Sequence, residues 1–538
     1  MRKALLLALA VAGLAAAAAS SHSAASSHPR IFLDRSTLAA LRARARAGTA
    51  EWRSLAARCN AFLTSHVEWP DGNDYPESNS IGEGYQGDGY LPAVLALGLC
   101  YQTELGLSRD RAAAYGRKGA ELLEKMSAPA GSPHAPDVTR DDVYGIRNYG
   151  VGLAVGFDWL HDALSAGDRA RVIAALHRWI STFEETGFER DFPQGNYFAG
   201  YYDAKALAAL ATEGEDPAAS REWQDWLGRV HGRLVQPYYA RNLSGGGWPE
   251  GWNYGAFGTL HQSWPVLAAL TAKRLDLVRK PGAPYAFPLN AARFLLWFTW
   301  PDLQTMEDSN FAYDSDNPTP THRWLLTFES ALLARWHDPL APYSRSYASA
   351  VRSVRPGGEF GPNWDPAFDF LFWAPSAPER DYRRLPRSYY AKGMEMAAVR
   401  SSWRPDAVWA QFKAGPFTNY RENGEQLFDE GSLAIVNGAR PLLVNAWGAL
   451  VRNTPGTNDG SALYDKAGTD VFADNGPRDL FNVFSVDRPA PPGQGRYLRA
   501  DGARTRIDRF EDGGAYVLMR GSQLEDDYPR QDGAPKTI

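Results

Sequence analysis

The chain has 538 residues, of which 44% are hydrophobic, and its formal net charge is −5 at pH 7. This length leaves room for two to four domains with a sizeable core, and the composition is that of a globular protein rather than a disordered one. Nucleic-acid binding calls for a clustered basic face, and the charge balance argues against it.

Residues 1–25 predict a signal peptide. A basic start, Met1-Arg2-Lys3, precedes an alanine-rich apolar run to about Ala19, and small residues up to Ser27 offer cleavage sites. The apolar run is too short for a full membrane span, and no later segment has the pattern of one. We therefore expect a periplasmic or secreted protein without a membrane span after cleavage.

The two cysteines, Cys59 and Cys100, both fall in predicted N-terminal helices. An exported protein permits a disulfide between them. A pair of buried free thiols is the equally open alternative.

From residue 28 to about 340, apolar spacing predicts one helix after another. In 221–239 the residues Trp223, Trp226, Val230 and Leu234 follow one helix face. Further helices are predicted over 109–126, 141–164, 166–185, 204–213 and 321–336. The connecting segments 69–90, 192–202 and 245–258 are rich in Gly, Pro, Trp and Tyr. Paired helices with aromatic loops suit an (α/α) toroid whose loops line a cleft. The sequence has no fixed-period repeat of the kind that would indicate a solenoid.

The remaining chain predicts a packed linker over 341–385 and an antiparallel β-sandwich domain over 386–538. Residues 407–412 have strand character, and the Asn437-Gly438 pair predicts a hairpin turn joining 433–436 to 442–444. Residues 515–519 predict another strand, followed by a polar tail over 526–538.

Three segments carry related motifs. Residues 394–444 follow the pattern R-S-x-W … H-x-H-x-D-x-G-S … N-G-x-P-L-L-V-D, with Arg400-Ser401-Ser402-Trp403, Gly431-Ser432 and Asn437-Gly438 in place. Gly195-Asn196-Tyr197 is similar to an Asn-His loop, and 245–254 is similar to D-G-x-x-x-E-G-x-x-Y. Together these motifs resemble the heparinase II/III superfamily of polysaccharide lyases over most of the mature chain. Its members continue into further strands, so the chain is expected to be either truncated or naturally short at its C-terminus.

The resemblance implies β-elimination at a uronate. Such a lyase removes the C5 proton beside a carboxylate and expels the C4 oxygen, so donors must hold the carboxylate as charge develops. Asn196 suits that role, although it could instead cap or hold its loop. Tyr254 is the proton-transfer residue by resemblance, with a core or stacking role as the alternative.

Other residues of these loops are candidates for substrate binding. Glu250 is expected to orient its loop or bind a sugar hydroxyl, and Tyr197 stands where the superfamily commonly has histidine. His261 could face the same cleft, while a structural role is the alternative for it and for His322. Sugar stacking is predicted for four aromatic residues, Tyr201, Tyr202, Trp248 and Trp252.

The metal site of zinc-containing relatives is not expected. The ligand positions carry Leu427, Asn445 and Phe481, and leucine and phenylalanine cannot bind zinc. All ten histidines lie at or before His337. No cofactor is predicted, and Glu425 or Arg421 would act where relatives use histidine, unless Glu425 is an ordinary solvated carboxylate.

The resemblance therefore predicts an exported, metal-independent lyase whose partner is an acidic polysaccharide. One alternative is a glycoside hydrolase on the same toroid, with two carboxylates drawn from Asp203, Glu250, Glu307 and Asp308. Another alternative is a catalytically silent glycan-binding protein. The sequence does not give the oligomeric state.

Overall fold

The computed structural model describes residues 28–73, 76–306, 323–354, 361–415, 431–443 and 505–522. The predicted signal peptide and polar tail lie outside these residues. The described chain is mostly helical up to residue 372, and antiparallel β structure follows it. Among the described residues, no helix combines the length and apolarity that crossing a membrane requires.

The helices are numbered in chain order. They are α1 (Arg35–Arg46), α2 (Ala50–Thr64), α3 (Tyr90–Glu104), α4 (Arg109–Met126), α5 (Ile146–Trp159), α6 (Ala166–Thr186), α7 (Asn196–Ala211), α8 (Ala219–Asp225), α9 (Gln236–Asn242), α10 (Gly251–Lys273), α11 (Phe287–Phe298), α12 (Arg323–Arg335), α13 (Ala341–Val354) and α14 (Gly361–Phe372). A π-helical segment, Trp226–Val235, joins α8 to α9.

Most predicted helices are confirmed, with differences at their ends. The prediction over 109–126 has the bounds of α4, and 166–185 corresponds to α6. The helix predicted over 204–213 begins eight residues earlier, at Asn196, because the aromatic residues assigned to a loop form the first turns of α7. The helix predicted over 221–239 is a continuous helical stretch whose middle is π-helical.

The linker predicted over 341–385 is wrong for most of its length, because α13 and α14 lie there. Proline and glycine suggested irregular backbone, but Pro342 lies in the first turn of α13, where its missing N–H costs nothing. The aromatic residues of α14 are core residues: Phe368 stacks on Trp264 with ring centroids 6.0 Å apart. Helix α14 packs against α2 and α3, so the last helix lies beside the first ones.

The core of the helical part contains α3, α5 and α7, which are buried on almost all sides. A helix that is apolar all round is one that lies inside a large domain. Helix α7 packs against α5 on one side and α10 on the other. A disulfide between Cys59 of α2 and Cys100 of α3 resolves the alternative that the sequence leaves open.

The β structure contains a five-stranded antiparallel sheet whose strands lie side by side in chain order. A short parallel pair, β1 (His66–Val67) and β2 (Ser80–Ile81), lies within the helical part. The sheet strands are β3 (Ser388–Ala391), β4 (Met396–Arg400), β5 (Val408–Lys413), β6 (Ser432–Asn437) and β7 (Arg440–Leu443), and a separate hairpin is formed by β8 (Arg506–Asp512) and β9 (Val517–Ser522).

The predicted hairpin between β6 and β7 is confirmed, with its turn shifted by one residue. Asn437 pairs with Arg440, so the two loop residues are Gly438 and Ala439. Gly438 has φ of +61°, a conformation that glycine adopts without steric cost.

The sheet contacts the helical part through Trp297 of α11. Its carbonyl oxygen accepts hydrogen bonds from Arg400 Nη2 at 3.0 Å and Trp409 Nε1 at 2.9 Å. Tyr389 of β3 stacks on the Trp297 ring with centroids 5.0 Å apart. These contacts bring the sheet to the loop that precedes α10.

Candidate active site

Three successive glycines set the course of the loop before α10. Gly245, Gly246 and Gly247 have φ values of +93°, +88° and +98°, which disfavour any other residue. A Cβ atom on Gly245 would lie 2.7 Å from Cα of Ala391 in β3, and one on Gly246 would lie 2.6 Å from the Asn290 carbonyl oxygen. The glycines therefore let the loop run against both the sheet and α11, and they fix the position of Glu250.

A chain of hydrogen bonds connects Glu250 to Asn196 and Arg147. Glu250 Oε2 accepts from Trp248 Nε1 at 2.7 Å, and Glu250 Oε1 accepts from Asn196 Nδ2 at 3.0 Å. Asn196 Oδ1 accepts from Arg147 Nη1 at 3.1 Å. These partners fix the amide orientation, because a flipped amide would face the carboxylate with oxygen and the guanidinium with N–H groups. One Nδ2–H of Asn196 remains for a further acceptor.

The close approach of α5 and α7 brings Arg147 to Asn196. A Cβ atom on Gly200 would lie 2.4 Å from Cβ of Arg147, so only glycine allows this spacing. The guanidinium lies over the rings of Tyr144 and Phe257, at 4.3 and 5.1 Å from their centroids. Arg147 belongs to no motif of the sequence, and its position in the site could not be predicted without the packing of α5 on α7.

The site is largely desolvated. Asn196 and Glu250 are each 1% exposed, and Arg147 is 7% exposed. Charge-assisted hydrogen bonds are stronger in such surroundings than in water. Tyr254 is half-buried in the first turns of α10, four residues after Glu250, the residue that precedes the helix.

Tyr197, the residue after Asn196, bonds to a carboxylate. Asp141 Oδ1 accepts from the Tyr197 hydroxyl at 2.9 Å, while Asp141 Oδ2 accepts from Tyr85 at 2.7 Å and from Gln86 Nε2 at 3.1 Å. Burial and the charge of Asp141 raise the pKa of Tyr197, and burial and the same carboxylate raise the pKa of Tyr85. Both tyrosines are therefore neutral hydrogen-bond donors.

The segment carrying Asp141 has an uncommon backbone. Asp141, Asp142 and Val143 have φ values of +47°, +48° and +72°, although none is glycine. Such conformations cost about 1–3 kcal/mol each and cluster at functional sites. This segment was predicted as the start of a helix, which in the structure begins only at Ile146.

The four aromatic residues predicted to stack on sugars lie in the core. Tyr201 and Tyr202 of α7 are buried, the former stacked on Phe183 with ring centroids 4.7 Å apart. The hydroxyl of Tyr202 bonds to His231 Nδ1 at 2.9 Å. Trp248 and Trp252 are also buried. Because these rings pack against other core rings, they offer no free face for a sugar, and we leave them out of the set that contacts a substrate.

His261 lies beneath the site in a buried pair. Its Nδ1 atom is 2.8 Å from Asp203 Oδ2. Burial raises the pKa of Asp203, and burial together with the charge of Arg147 lowers the pKa of His261. Burial thus disfavours the charged form of each partner. Asp203 is thus buried against α10, where it bonds to His261. This position does not suit one of the two cleft carboxylates that a glycoside hydrolase would need.

Several predicted residues lie outside the described ranges. These are Glu425 and Arg421 of the β segment, the positions Leu427, Asn445 and Phe481, the carboxylates Glu307 and Asp308, and His322. The roles that the sequence predicts for these residues remain predictions.

In the described part of the chain, His28, His161 and Glu215 bring three possible metal-ligating atoms within 4.8 Å of one another. His28 Nδ1 bonds to Asp158 at 2.6 Å, which leaves Nε2 as the acceptor. That Nε2 atom accepts from Arg30 Nη2 at 2.8 Å. Since a buried guanidinium takes the lone pair that a metal would need, this cluster is a hydrogen-bonded network that holds the N-terminal segment.

No family model and no curated protein sequence matches the chain. The fold is similar to the crystal structure of heparinase III, with 13% identity, a TM-score of 0.48 and coverage of 87% of this chain and 66% of that one. It is also similar to heparan sulfate lyase HepC from Pedobacter heparinus, with 13% identity, a TM-score of 0.43 and coverage of 78% and 61%. The chain thus spans less than two thirds of the length of these two proteins.

Proposed function

We propose that the protein is an exported polysaccharide lyase that cleaves a uronate-containing glycan by β-elimination without a metal ion. The observation that carries this proposal is the buried Asn196 amide, which Arg147 and Glu250 hold in one orientation. An amide fixed in this way can stabilise the negative charge that develops in the transition state without first reorienting. The motif resemblance of the Asn196 and Tyr254 loops supports the same reaction.

The substrate carboxylate binds at Arg147 and Asn196. The free Nδ2–H of Asn196 donates to a carboxylate oxygen, and the guanidinium supplies the compensating charge. As the C5 proton leaves, negative charge grows on this carboxylate. Donors that are already in place stabilise this charge more than they stabilise the ground state, which lowers the barrier.

Tyr254 transfers the proton. As phenolate it takes the C5 proton, and the C–H electron pair forms the C4–C5 double bond as the C4–O bond breaks. The phenol formed in this way donates its proton to the leaving C4 oxygen, which restores the phenolate. A nearby cation favours the phenolate. Arg147 lies over Phe257, which is three residues from Tyr254 on α10 and therefore next to it on the helix surface.

A screen against acidic polysaccharides tests this proposal. Ultraviolet absorbance detects the double bond, and product mass shows whether water was added. A lyase adds no water to the two product chains, whereas a hydrolase adds one molecule per bond cleaved. Unsaturated products without added water support the proposal. Saturated products would favour the hydrolase, and binding without cleavage would favour a glycan-binding protein.

A further inference from the structure

Asp141 presents an exposed carboxylate beside the proposed site. An ionised carboxylate has about four acceptor positions and no donor. Tyr197, Tyr85 and Gln86 occupy three of these positions. About one acceptor position is left, and it can take a hydrogen only from a ligand that has a donor.

Three tyrosine rings surround this carboxylate. Tyr144 makes edge-to-face contacts with Tyr85 and Tyr197, with ring centroids 5.6 and 4.8 Å apart. Tyr85 is 40% exposed, and Tyr197 is partly exposed. Rings with an apolar face and a polar tip suit a sugar, which has both C–H and hydroxyl surfaces.

The charges around Tyr144 are mainly negative. Burial raises the pKa of Tyr144, Arg147 lowers it, and the carboxylates of Asp141, Asp88 and Glu250 raise it. Arg140 adds a second guanidinium, 5.6 Å from the centroid of the Tyr85 ring, so among the described residues two guanidinium groups stand against the three carboxylates. Arg147 can compensate the single carboxylate of a uronate, and further anionic groups on the substrate would meet Asp141.

We propose that Asp141 is a specificity-determining residue that accepts a sugar hydroxyl and disfavours a sulfate ester at the same place. This inference rests on the proposed function and narrows its substrate class to unsulfated uronate glycans. A sulfate ester offers no donor to the free acceptor position and adds a negative charge beside an existing one. One such pair of charges in water changes affinity by about fivefold, and by more where water is excluded.

Binding measurements separate this inference from catalysis. The Tyr254→Phe variant is titrated calorimetrically with heparosan, chondroitin, alginate and polygalacturonate, and with the chemically O-sulfated form of each. We expect the tightest ligand to be unsulfated and its sulfated form to bind at least about tenfold more weakly. A sulfated glycan as the tightest ligand, or the absence of binding by all four unsulfated glycans, would overturn the inference.

A second variant tests the role of Asp141 itself. Asp141→Asn, made in the Tyr254→Phe background, keeps an acceptor and tolerates positive φ, but it removes the charge. We expect the ratio of sulfated to unsulfated dissociation constants to fall by about fivefold or more. Asp406→Asn is the matched control, because Asp406 is an exposed aspartate of the turn between β4 and β5 and changes net charge equally. An unchanged ratio in the Asp141 variant contradicts the inference. If the wild-type protein yields no unsaturated product while this ratio shifts, the lyase proposal alone fails.

Discussion

Asn196 Nδ2 lies 3.0 Å from Glu250 Oε1, and this bond joins the first residue of α7 to the residue that precedes α10. Each residue is 1% exposed, so water cannot replace either partner. The two loops that the sequence motifs single out therefore form one polar cluster, with Arg147 of α5 as its third member.

Replacing Asn196 tests the role of the amide. We expect Asn196→Ala to lower kcat by about 10²-fold or more, because the substrate carboxylate loses a donor in the transition state. Asn196→Asp should be at least as impaired, since its carboxylate would face that of Glu250. Steady-state kinetics check both, with Asn60→Ala on the exposed side of α2 as control. A wild-type kcat in Asn196→Ala would remove the amide from the mechanism.

The disulfide between Cys59 and Cys100 should stabilise the helical part without affecting catalysis. It closes a sequence separation of 41 residues between α2 and α3, which do not contribute the site residues described above. Loss of a native disulfide typically costs about 2–5 kcal/mol. The double variant with alanine at both positions should melt at a lower temperature yet keep its kcat at 25 °C. Two free thiols per denatured, unreduced chain would show that no bridge forms.

Chelation should leave activity and melting temperature unchanged. The motif resemblance predicts that Leu427 and Phe481 occupy ligand positions of zinc-containing relatives, and neither side chain can bind zinc. Activity and thermal melting before and after dialysis against a chelator provide the measurement. Stoichiometric zinc that leaves together with activity would show that the motif alignment is wrong.

Acid should destabilise the fold in part through His231. Burial, with a smaller contribution from Lys280, lowers the pKa of this histidine from 6.5 to about 4. Between these values the unfolded chain binds a proton that the folded chain does not. The free energy of unfolding should therefore fall as pH drops from 6.5 to 4, by about 3 kcal/mol in total.

Melting temperatures at pH 7, 5.5 and 4.5 measure this effect. His231→Asn keeps an acceptor for the Tyr202 hydroxyl, whose bond to Nδ1 is 2.9 Å long, and removes the titrating group. The variant should lose part of the pH dependence that the wild type shows. Equal pH dependence in wild type and His231→Asn would mean that this histidine does not contribute.

Local sequence patterns predicted the helices and the hairpin whose formation depends on nearby residues. Apolar spacing gave α4 and α6, and the Asn437-Gly438 pair gave the hairpin between β6 and β7. The error at 341–385 arose because proline and glycine were taken as breaks, although the aromatic residues of α14 provide a buried face against α2 and α3.

The sequence predicted only some of the residues of the candidate site. Motifs indicated Asn196, Glu250 and Tyr254. Arg147 reaches Asn196 through helix packing, and Asp141 reaches Tyr197 through an unusual backbone segment, and no spacing rule encodes either position. The burial of Tyr201 and Tyr202 had a signal in the sequence, since the alanine-rich stretch that follows them is apolar at every position except Lys205.

Cleavage by Tyr254→Phe is the most direct test of the proposed reaction. The substitution removes only the phenolic oxygen, and Tyr343→Phe, at another half-buried tyrosine of the helical part, is the matched control. On a glycan that the wild-type protein converts to unsaturated products, we expect Tyr254→Phe to bind the glycan but form the double bond about 10²-fold or more slowly, with Tyr343→Phe unaffected. Formation of the double bond by Tyr254→Phe at the wild-type rate would contradict the account.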